Sequence, residues 1–379
     1  MRGKYYLKRV VFAVLNKTPD LPVASEGVQA LCDVILREID AERDEVKARL
    51  DALLTAQEAT LREQIIRQNN KESIARIEAM CLRLTDQPLE QKLMPGGGEP
   101  IPVVLICDEA YAIPTAVTIL SLLLNKNSDT RYEITVLGRA LSEASRTMFA
   151  SLGPSVRMIS CEGSKTAVYA KTHPYVSDAA LLKFDIPQLL GQYDKVLYLD
   201  GDILVQGDLS SLYATDLEEN FVAAIKDLLG SYYHFDTRTG VVPYFNSGVM
   251  LLNTKKMRAE KTTAKLFKNK ANDRWRLLMD QDTFNVTFRD KALFLHPRYN
   301  LMYANNLESG WSMEQMGAFY GISEEEMRQT MEKPVIQHLS SQNKPWKNEF
   351  AEKYLDYMEY RILLDLLLER QNLTKKNEG

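Results

Sequence analysis

Lys195-Val-Leu-Tyr-Leu-Asp200-Gly201-Asp202-Ile-Leu-Val205 is the stretch that decides the fold, because an apolar run ends there in two carboxylates. A short apolar run is typical of a strand buried on both faces of a parallel sheet. Residues i and i+2 of an extended segment point the same way, so Asp200 and Asp202 are expected side by side. Gly201 between them would let a ligand approach the backbone closely. Since neighbouring carboxylates repel each other, the pair predicts a divalent cation bound by oxygen ligands; the alternative is a solvated pair of acids in a turn.

Further apolar runs precede this stretch and alternate with helical segments. The sequence predicts strands at Ile101–Cys107, Tyr132–Leu137, Val156–Ser160 and Lys195–Leu199, and helices at Ala112–Leu124, from the cap residue Ser142 through Ala150, and at Ser177–Leu190. The alternation predicts an α/β fold with a mainly parallel sheet covered by helices on both faces. Ligands bind beyond the carboxyl ends of the strands in such sheets, which puts Asp108 at the same edge as Asp200 and Asp202.

The composition excludes several classes of protein. The chain has 379 residues, is 45% hydrophobic and carries a net charge of −4, which rules out a mainly disordered chain and leaves no bulk positive field to hold nucleic acid. Its cysteines (Cys32, Cys81, Cys107 and Cys161) form no CxxC pair and are predicted to be free thiols in a reducing compartment. The apolar run from 10 to 15 is too short for a membrane span or a secretion signal, so a cytoplasmic location is expected.

The two ends of the chain differ from its middle. Residues 1–94 are predicted to be a helical appendage with coiled-coil character, because apolar residues recur in steps of three and four. This appendage would either fold against the main domain or join two copies into a homo-oligomer. Residues 95–100, Pro-Gly-Gly-Gly-Glu-Pro, form a predicted linker. Residues 350–379 are predicted to form a C-terminal helix, with three alternatives: packing on the core, contact with a membrane surface, or a dimer contact.

Several other motifs follow one another in a characteristic order. They are Cys107-Asp108-Glu-Ala-Tyr111, the segment from Thr215 to Asp227, Tyr244-Phe-Asn246-Ser-Gly248, Asp280-Gln281-Asp282 and His338-Leu-Ser-Ser-Gln-Asn-Lys344-Pro-Trp346. In these motifs and in their order, the chain resembles glycosyltransferase family 8. This family contains glycogenin and the bacterial lipopolysaccharide galactosyl- and glucosyltransferases. The resemblance implies a Rossmann-like GT-A fold over residues 101–349, with a mixed, mainly parallel sheet flanked by helices. It also implies a UDP-galactose or UDP-glucose donor and retention of anomeric configuration. It implies a glycan or glycolipid acceptor, such as lipopolysaccharide core, and a peripheral contact with the inner membrane.

The resemblance also implies a role for each motif residue. The metal ligands would be Asp200, Asp202 and His338, and an imidazole among oxygen ligands favours Mn²⁺ over Mg²⁺. The nucleotide sugar would be bound by Asp108, Tyr111, Lys183, Asp200, Gly201, Asp227, Ser341 and Lys344. Lys344 would reach the diphosphate as a point charge. The catalytic residues would be Asp280, Gln281 and Asn246.

Two positions depart from the family pattern. Lys183 stands where members related to the galactosyltransferases carry an arginine, whose bidentate grip a lysine cannot make. Ser341 replaces a glycine that lets the backbone approach the phosphates. Retention could come from a covalent intermediate or from attack on the same face as the leaving group. Because an amide is a poor nucleophile, same-face attack is favoured, with Gln281 and Asp280 positioning the donor.

Two other functions compete with glycosyl transfer. A phosphohydrolase of the haloacid dehalogenase type also places two aspartates after an apolar strand. That class needs Asp-x-Asp-Gly-Thr, whereas Ile-Leu-Val follows Asp202 here. The third alternative is an inert scaffold with a vestigial site, which the intact Asp200, Asp202, His338 and Lys344 argue against.

Overall fold

The computed structural model describes residues 89–162, 178–228, 230, 240–272, 279–302, 310–340, 344–347 and 355–378. The predicted coiled-coil region before residue 89 lies outside these residues, and so does Ser341. The boundaries predicted for the domains stay predictions.

Strands within these residues form one large sheet and one small ribbon. They are β1 (Pro100–Asp108), β2 (Arg131–Arg139), β3 (Val156–Ser160), β4 (Val196–Leu199), β5 (Ile203–Val205), β6 (Val222–Lys226), β7 (Phe245–Leu252), β8 (Ala292–Phe294) and β9 (Ile336–His338). The large sheet has the order β3-β2-β1-β4-β7-β6-β8, and β5 pairs with β9. Every pairing in the large sheet is parallel except the two on either side of β7. The predicted mixed, mainly parallel sheet is therefore confirmed.

Helices cover both faces of the large sheet. They are α1 (Leu89–Lys92), α2 (Ala112–Leu124), α3 (Glu143–Ala150), α4 (Ile186–Leu189), α5 (Ser210–Tyr213), α6 (Thr254–Ala259), α7 (Thr262–Asn272), α8 (Met279–Thr287), α9 (Met313–Tyr320), α10 (Glu324–Glu332) and α11 (Leu355–Glu378). Ser142 caps α3 as predicted, because its side chain accepts a hydrogen bond from the backbone N–H of Ser145.

The helix predicted at Ser177–Leu190 is different in the structure. Residues Asp178–Asp185 form a 3-10 helix, and only Ile186–Leu189 are α-helical. Pro187 lies at the start of α4, where its missing N–H costs nothing. Further inside a continuous α-helix it would remove a hydrogen bond and clash with the preceding turn. The proline therefore favours a new helix start and not the long helix that the apolar spacing predicted.

The hydrophobic core has two layers, one on each face of the large sheet. One layer packs the sheet against α2 and α11, and the other packs it against the 3-10 helix and helices α6 to α8. This double burial explains why the strands are apolar along their whole length. Helix α11 buries Tyr357, Tyr360, Leu363, Leu364 and Leu367 in the first layer. Of the three alternatives for this helix, packing on the core is therefore observed. No helix among the described residues is both long and apolar enough to span a membrane.

Candidate active site

Two carboxylates and one imidazole meet at the carboxyl end of β4. Asp200 follows β4, Asp202 precedes β5 and His338 ends β9. The pairing of Ile203 with His338 in the ribbon brings the last two together. Nε2 of His338 lies 3.3 Å from Oδ1 of Asp202 and 4.0 Å from Oδ2 of Asp200. One ligand atom from each residue lies within 4.8 Å of the others, so the three form a candidate site for a metal ion.

Gly248 in β7 makes room for this cluster. A Cβ atom at this position would lie 2.4 Å from Cε1 of His338 and 2.8 Å from Oδ2 of Asp200. The carbonyl oxygen of Gly248 also accepts a hydrogen bond of 2.7 Å from the backbone N–H of Asp200. The backbone of Gly248 in the antiparallel strand β7 therefore holds Asp200. Because Gly248 has no side chain, the imidazole of His338 can also lie close to this strand.

Lys344 lies against the second acid of the motif. Its Nζ atom donates to Oδ2 of Asp202 at 2.6 Å and to the carbonyl oxygen of Leu339 at 2.6 Å. Burial acts to raise the pKa of Asp202, but Lys344 and His338 outweigh it and hold that pKa well below its usual range. Asp202 is therefore held ionised, as a metal ligand requires.

Lys183 joins the candidate metal site to Asp280. Its Nζ atom lies 3.1 Å from Oδ1 of Asp200 and 2.6 Å from Oδ2 of Asp280, and only 4% of its side chain is exposed. Ser247 donates to the same Asp280 oxygen at 2.9 Å. Burial acts to lower the pKa of Lys183, but the carboxylates of Asp200 and Asp280 outweigh it and raise that pKa. The buried lysine thus makes an ion pair with each acid.

The remaining donor-site candidates form a network of amides around one carboxylate. Oε1 of Gln281 accepts hydrogen bonds of 3.0 Å from Nδ2 of Asn246 and from the backbone N–H of Ser247. Nε2 of Gln281 donates to Oδ2 of Asp227 at 2.9 Å. Asn246, Gln281 and Asp227, which the sequence predicted separately, are therefore in direct contact.

Asp108 and Tyr111 lie at the end of β1, on the same edge of the sheet. Oδ1 of Asp108 accepts a hydrogen bond of 3.2 Å from the backbone N–H of Tyr111. The Tyr111 ring meets Trp346 edge to face, with 5.4 Å between centroids. Burial, together with the charges of Asp202 and Asp200, raises the pKa of the Tyr111 phenol. Tyr111 is therefore close enough to the acidic cluster to be influenced by its charge.

Gly201 has a structural role that the sequence did not indicate. A Cβ atom there would lie 2.2 Å from Oγ1 of Thr115 in α2. This glycine therefore lets the loop between Asp200 and Asp202 lie directly on the buried helix. The prediction that it also lets a ligand approach the backbone stays a prediction.

Sequence reasoning missed one buried residue of the site. Asn300, which is fully buried, follows the 3-10 helix Pro297–Tyr299. Its Oδ1 atom lies 2.9 Å from Nδ1 of His338, and its Nδ2 atom donates to Oδ1 of Asn246 at 2.9 Å. Asn300 belongs to none of the motifs, so the sequence offered only a lone asparagine after a turn.

The cluster suits a divalent cation in its chemistry. Two carboxylates and one imidazole are a common ligand set for Mn²⁺ and related ions. The imidazole presents Nε2 to both acids while its other nitrogen is occupied by Asn300. A histidine that binds a metal through one nitrogen typically has such a partner at the other. The residues present therefore fit a metal site.

Comparison with known proteins gives one family. The model of glycosyl transferase family 8 matches residues 102–349. Glycosyltransferase GlyF of Streptococcus pneumoniae serotype 4 is 28% identical over 254 residues, which cover 64% of this chain and 56% of GlyF. Lipopolysaccharide 1,2-glucosyltransferase of Escherichia coli is 25% identical over 252 residues, which cover 63% of this chain and 71% of that protein. The chain therefore spans little more than half the length of GlyF.

A solved structure shows the same fold. The galactosyltransferase LgtC, solved in complex with donor and acceptor sugar analogues, is similar to this chain with a TM-score of 0.56 at 23% identity. The similarity covers 69% of this chain and 95% of LgtC. It confirms the predicted GT-A-type fold.

Proposed function

Since this chain belongs to glycosyltransferase family 8, we propose that it transfers a hexose from a UDP-sugar to a hydroxyl group of a glycan acceptor and retains the anomeric configuration. The observation that carries the proposal is the cluster of Asp200, Asp202 and His338 at the carboxyl edge of the sheet. The donor would be UDP-galactose or UDP-glucose. The acceptor would be lipopolysaccharide core or another surface polysaccharide, which the similarity to lipopolysaccharide 1,2-glucosyltransferase supports. The buried free thiols Cys107 and Cys161 support a reducing compartment such as the cytoplasm.

The leaving group is the first chemical problem. Breaking the bond between the sugar and the diphosphate builds positive charge on the sugar and negative charge on UDP. A divalent cation, Mn²⁺ or Mg²⁺, would be held by Asp200, Asp202 and His338 and would stabilise the departing negative charge as a Lewis acid. Lys344 lies 2.6 Å from Asp202 and would contribute a second positive charge beside the diphosphate.

The nucleoside would lie beyond β1 and the sugar beyond β7. Asp108 ends β1, Tyr111 ends the 3-10 helix Glu109–Tyr111 that follows it, and both would bind the uridine, with the Tyr111 ring against the base. Asn246 and Gln281 would hold the sugar, and Asp227 fixes the orientation of the Gln281 amide. Lys183 would not bind the donor itself but would hold Asp200 and Asp280, with which it forms ion pairs. Ser341 stays a predicted phosphate contact.

The contacts of Asp280 and Gln281 favour same-face attack over a covalent intermediate. Oδ2 of Asp280 is paired with Lys183 and accepts from Ser247, which lowers its nucleophilicity. Oε1 of Gln281 already accepts two hydrogen bonds. In same-face attack the acceptor oxygen bonds to the anomeric carbon as the bond to the diphosphate breaks. The acceptor's proton passes to the departing diphosphate oxygen, so no residue of the chain changes charge.

Product analysis tests the proposal. The protein would be incubated with Mn²⁺, a panel of UDP-sugars and glycan extracts, and products would be identified by mass spectrometry. We expect an acceptor product heavier by one hexose together with free UDP, and stabilisation of the protein by UDP plus Mn²⁺ but by neither alone. Asp202→Asn keeps the size of the side chain and should abolish both transfer and this stabilisation. Full transfer by Asp202→Asn would refute the metal assignment, and release of phosphate from generic phosphoesters would favour the phosphohydrolase.

A further inference from the structure

The backbone of Leu301, which follows Asn300, is hydrogen-bonded to β9, and the Asn300 side chain contacts His338. The backbone N–H of Leu301 donates to the carbonyl oxygen of Ile336 at 2.9 Å. The N–H of His338 donates in turn to the carbonyl oxygen of Leu301 at 2.8 Å. The segment that carries Asn300 is therefore attached to β9 by two backbone hydrogen bonds, which lie beside the 2.9 Å contact between Asn300 Oδ1 and His338 Nδ1.

Backbone N–H groups fix the direction of the side-chain hydrogen bonds that link Asn246, Asn300 and Gln281. The N–H of Gly248 can only donate, so the Asn246 atom that lies 2.9 Å from it is the oxygen Oδ1. Asn300 must present its NH₂ group to that oxygen, and it does so at 2.9 Å. The remaining Asn300 atom, Oδ1, can then only accept. His338 must therefore carry a proton on Nδ1, so a metal ion could bind this ring only through Nε2, which faces Oδ1 of Asp202 at 3.3 Å.

The same reasoning reaches the other end of the network. The N–H of Ser247 donates to Oε1 of Gln281, so the Gln281 amide must turn its NH₂ group towards Asp227. Nδ2 of Asn246 donates to that same Oε1 atom. One directed chain of side-chain hydrogen bonds thus runs from His338 through Asn300 and Asn246 to Gln281.

We propose that Asn300 is a positioning residue with two separable roles. Through its oxygen it keeps a proton on Nδ1 of His338, so that a metal ion would bind the ring through Nε2. Through its nitrogen it orients Asn246, and hence Gln281, for the donor sugar. The consequence for metal binding rests on the proposed function, whereas the proton on Nδ1 is a property of the protein alone.

Two substitutions separate the roles. The carboxylate of Asn300→Asp still accepts from Nδ1 of His338 but cannot donate to Oδ1 of Asn246. Asn300→Leu has a similar volume and does neither. A purely structural role predicts that both variants behave alike. The proposal predicts that Asn300→Asp keeps the metal function and loses turnover, while Asn300→Leu loses both.

Histidine-selective ¹⁵N NMR of the metal-free protein tests whether Nδ1 of His338 carries a proton. All spectra would be recorded at the same pH, and the His338 signals would be assigned with a His338→Gln variant. We expect Nδ1 to be protonated in the unsubstituted protein and in Asn300→Asp, and to lose that proton in Asn300→Leu, where only Nε2 still faces an acceptor, the Asp202 carboxylate. An unprotonated Nδ1 in the unsubstituted protein, or an Nδ1 that stays protonated in Asn300→Leu, would overturn the proposal.

Calorimetric titration with Mn²⁺ in the presence of UDP tests the consequence. Loss of the partner that orients a metal-binding histidine typically weakens metal affinity about 10- to 100-fold. We expect such a loss in Asn300→Leu and less than about threefold in Asn300→Asp, together with at least a tenfold lower kcat in Asn300→Asp. Equal affinity in all three proteins would overturn the proposal. If the unsubstituted protein bound no Mn²⁺ with UDP, the proposed function would fail, while the NMR result would still decide the role of Asn300.

A buried polar residue far from the site provides the control. Thr135 in β2 is buried and accepts a hydrogen bond of 2.9 Å from Nε of Arg157. Thr135→Val removes that bond and lowers stability without touching the network. It should leave both the proton on Nδ1 of His338 and the Mn²⁺ affinity unchanged. A change in either would show that a general loss of stability alters these measurements, and it would overturn the assignment to Asn300.

Discussion

Adding one methyl group at Gly248 should disable the site without unfolding the protein. The new Cβ would lie 2.4 Å from Cε1 of His338, whereas ordinary contacts begin at 3.4 Å, so the imidazole would have to retreat by about 1 Å. Asp200 and Asn246 lie at 2.8 and 2.9 Å and would be displaced as well. A displacement of about 1 Å at a reacting site typically costs about a hundredfold in rate, or about 2.7 kcal/mol of transition-state stabilisation.

The assay is the initial rate of UDP release with saturating Mn²⁺, accompanied by a Mn²⁺ titration and a thermal melt. Gly97→Ala is the matched control, because a Cβ at that position would meet no atom within 4 Å. We expect the control to keep its rate and Gly248→Ala to lose about two orders of magnitude in kcat/KM. A Gly248→Ala protein that melts normally and keeps more than about a third of the rate would refute the steric argument.

Two further predictions concern buried ionisable groups. Lys183→Met would leave Asp280 buried without its cation and should lower the free energy of unfolding by about 3–5 kcal/mol, measured by urea denaturation; a loss below about 1 kcal/mol would contradict the buried ion pair. Burial, assisted by Asp108, raises the pKa of the Cys107 thiol from 9.0 to about 12. The folded thiol should therefore resist iodoacetamide at pH 8, followed by mass spectrometry of its peptide, while the urea-unfolded chain reacts. The thiol of the unfolded chain loses its proton at a lower pH than the folded thiol. The stability that the folded Cys107 contributes should therefore be complete below about pH 9 and lost towards pH 12. A Cys107→Ala variant should lack this decrease in the free energy of unfolding with pH.

The sheet could be predicted because its strands carry a strong local signal. The strand Val156–Ser160 and the helix Ala112–Leu124 have the predicted bounds, and β1 and β2 extend one or two residues beyond them. Burial on both faces makes these segments apolar throughout, which the sequence displays directly. The direction of β7 carries no such signal, because a fully buried strand looks the same in either orientation.

The acidic pair of the site could be predicted from adjacency along the chain, but its surroundings could not. Asp200 and Asp202 are two residues apart, so the pleat of a strand is enough to bring them together. Lys183 is 97 residues from the Asp280 that it contacts. Its pairing depends on how the 3-10 helix packs against α8, and lysines of this kind are more often solvated. The family resemblance therefore located Lys183, but its partners could not be predicted.

Asn300 could not be recognised for a different reason. An asparagine after a proline-containing turn is ordinary, since its side chain commonly hydrogen-bonds to nearby backbone. Its actual partners are His338 and Asn246, 38 and 54 residues away. Only the pairing of the segment after the turn with β9 reveals them.

The division of the acidic pair between two sheets has a consequence for synthesis of the protein. Asp200 extends from the large sheet, all of whose strands end by Phe294, whereas Asp202 and His338 meet in the ribbon that β9 completes. Every strand of the large sheet is therefore synthesised before the ribosome reaches His338. A nascent chain that already contains the whole large sheet would still lack one of the three residues of the candidate metal site.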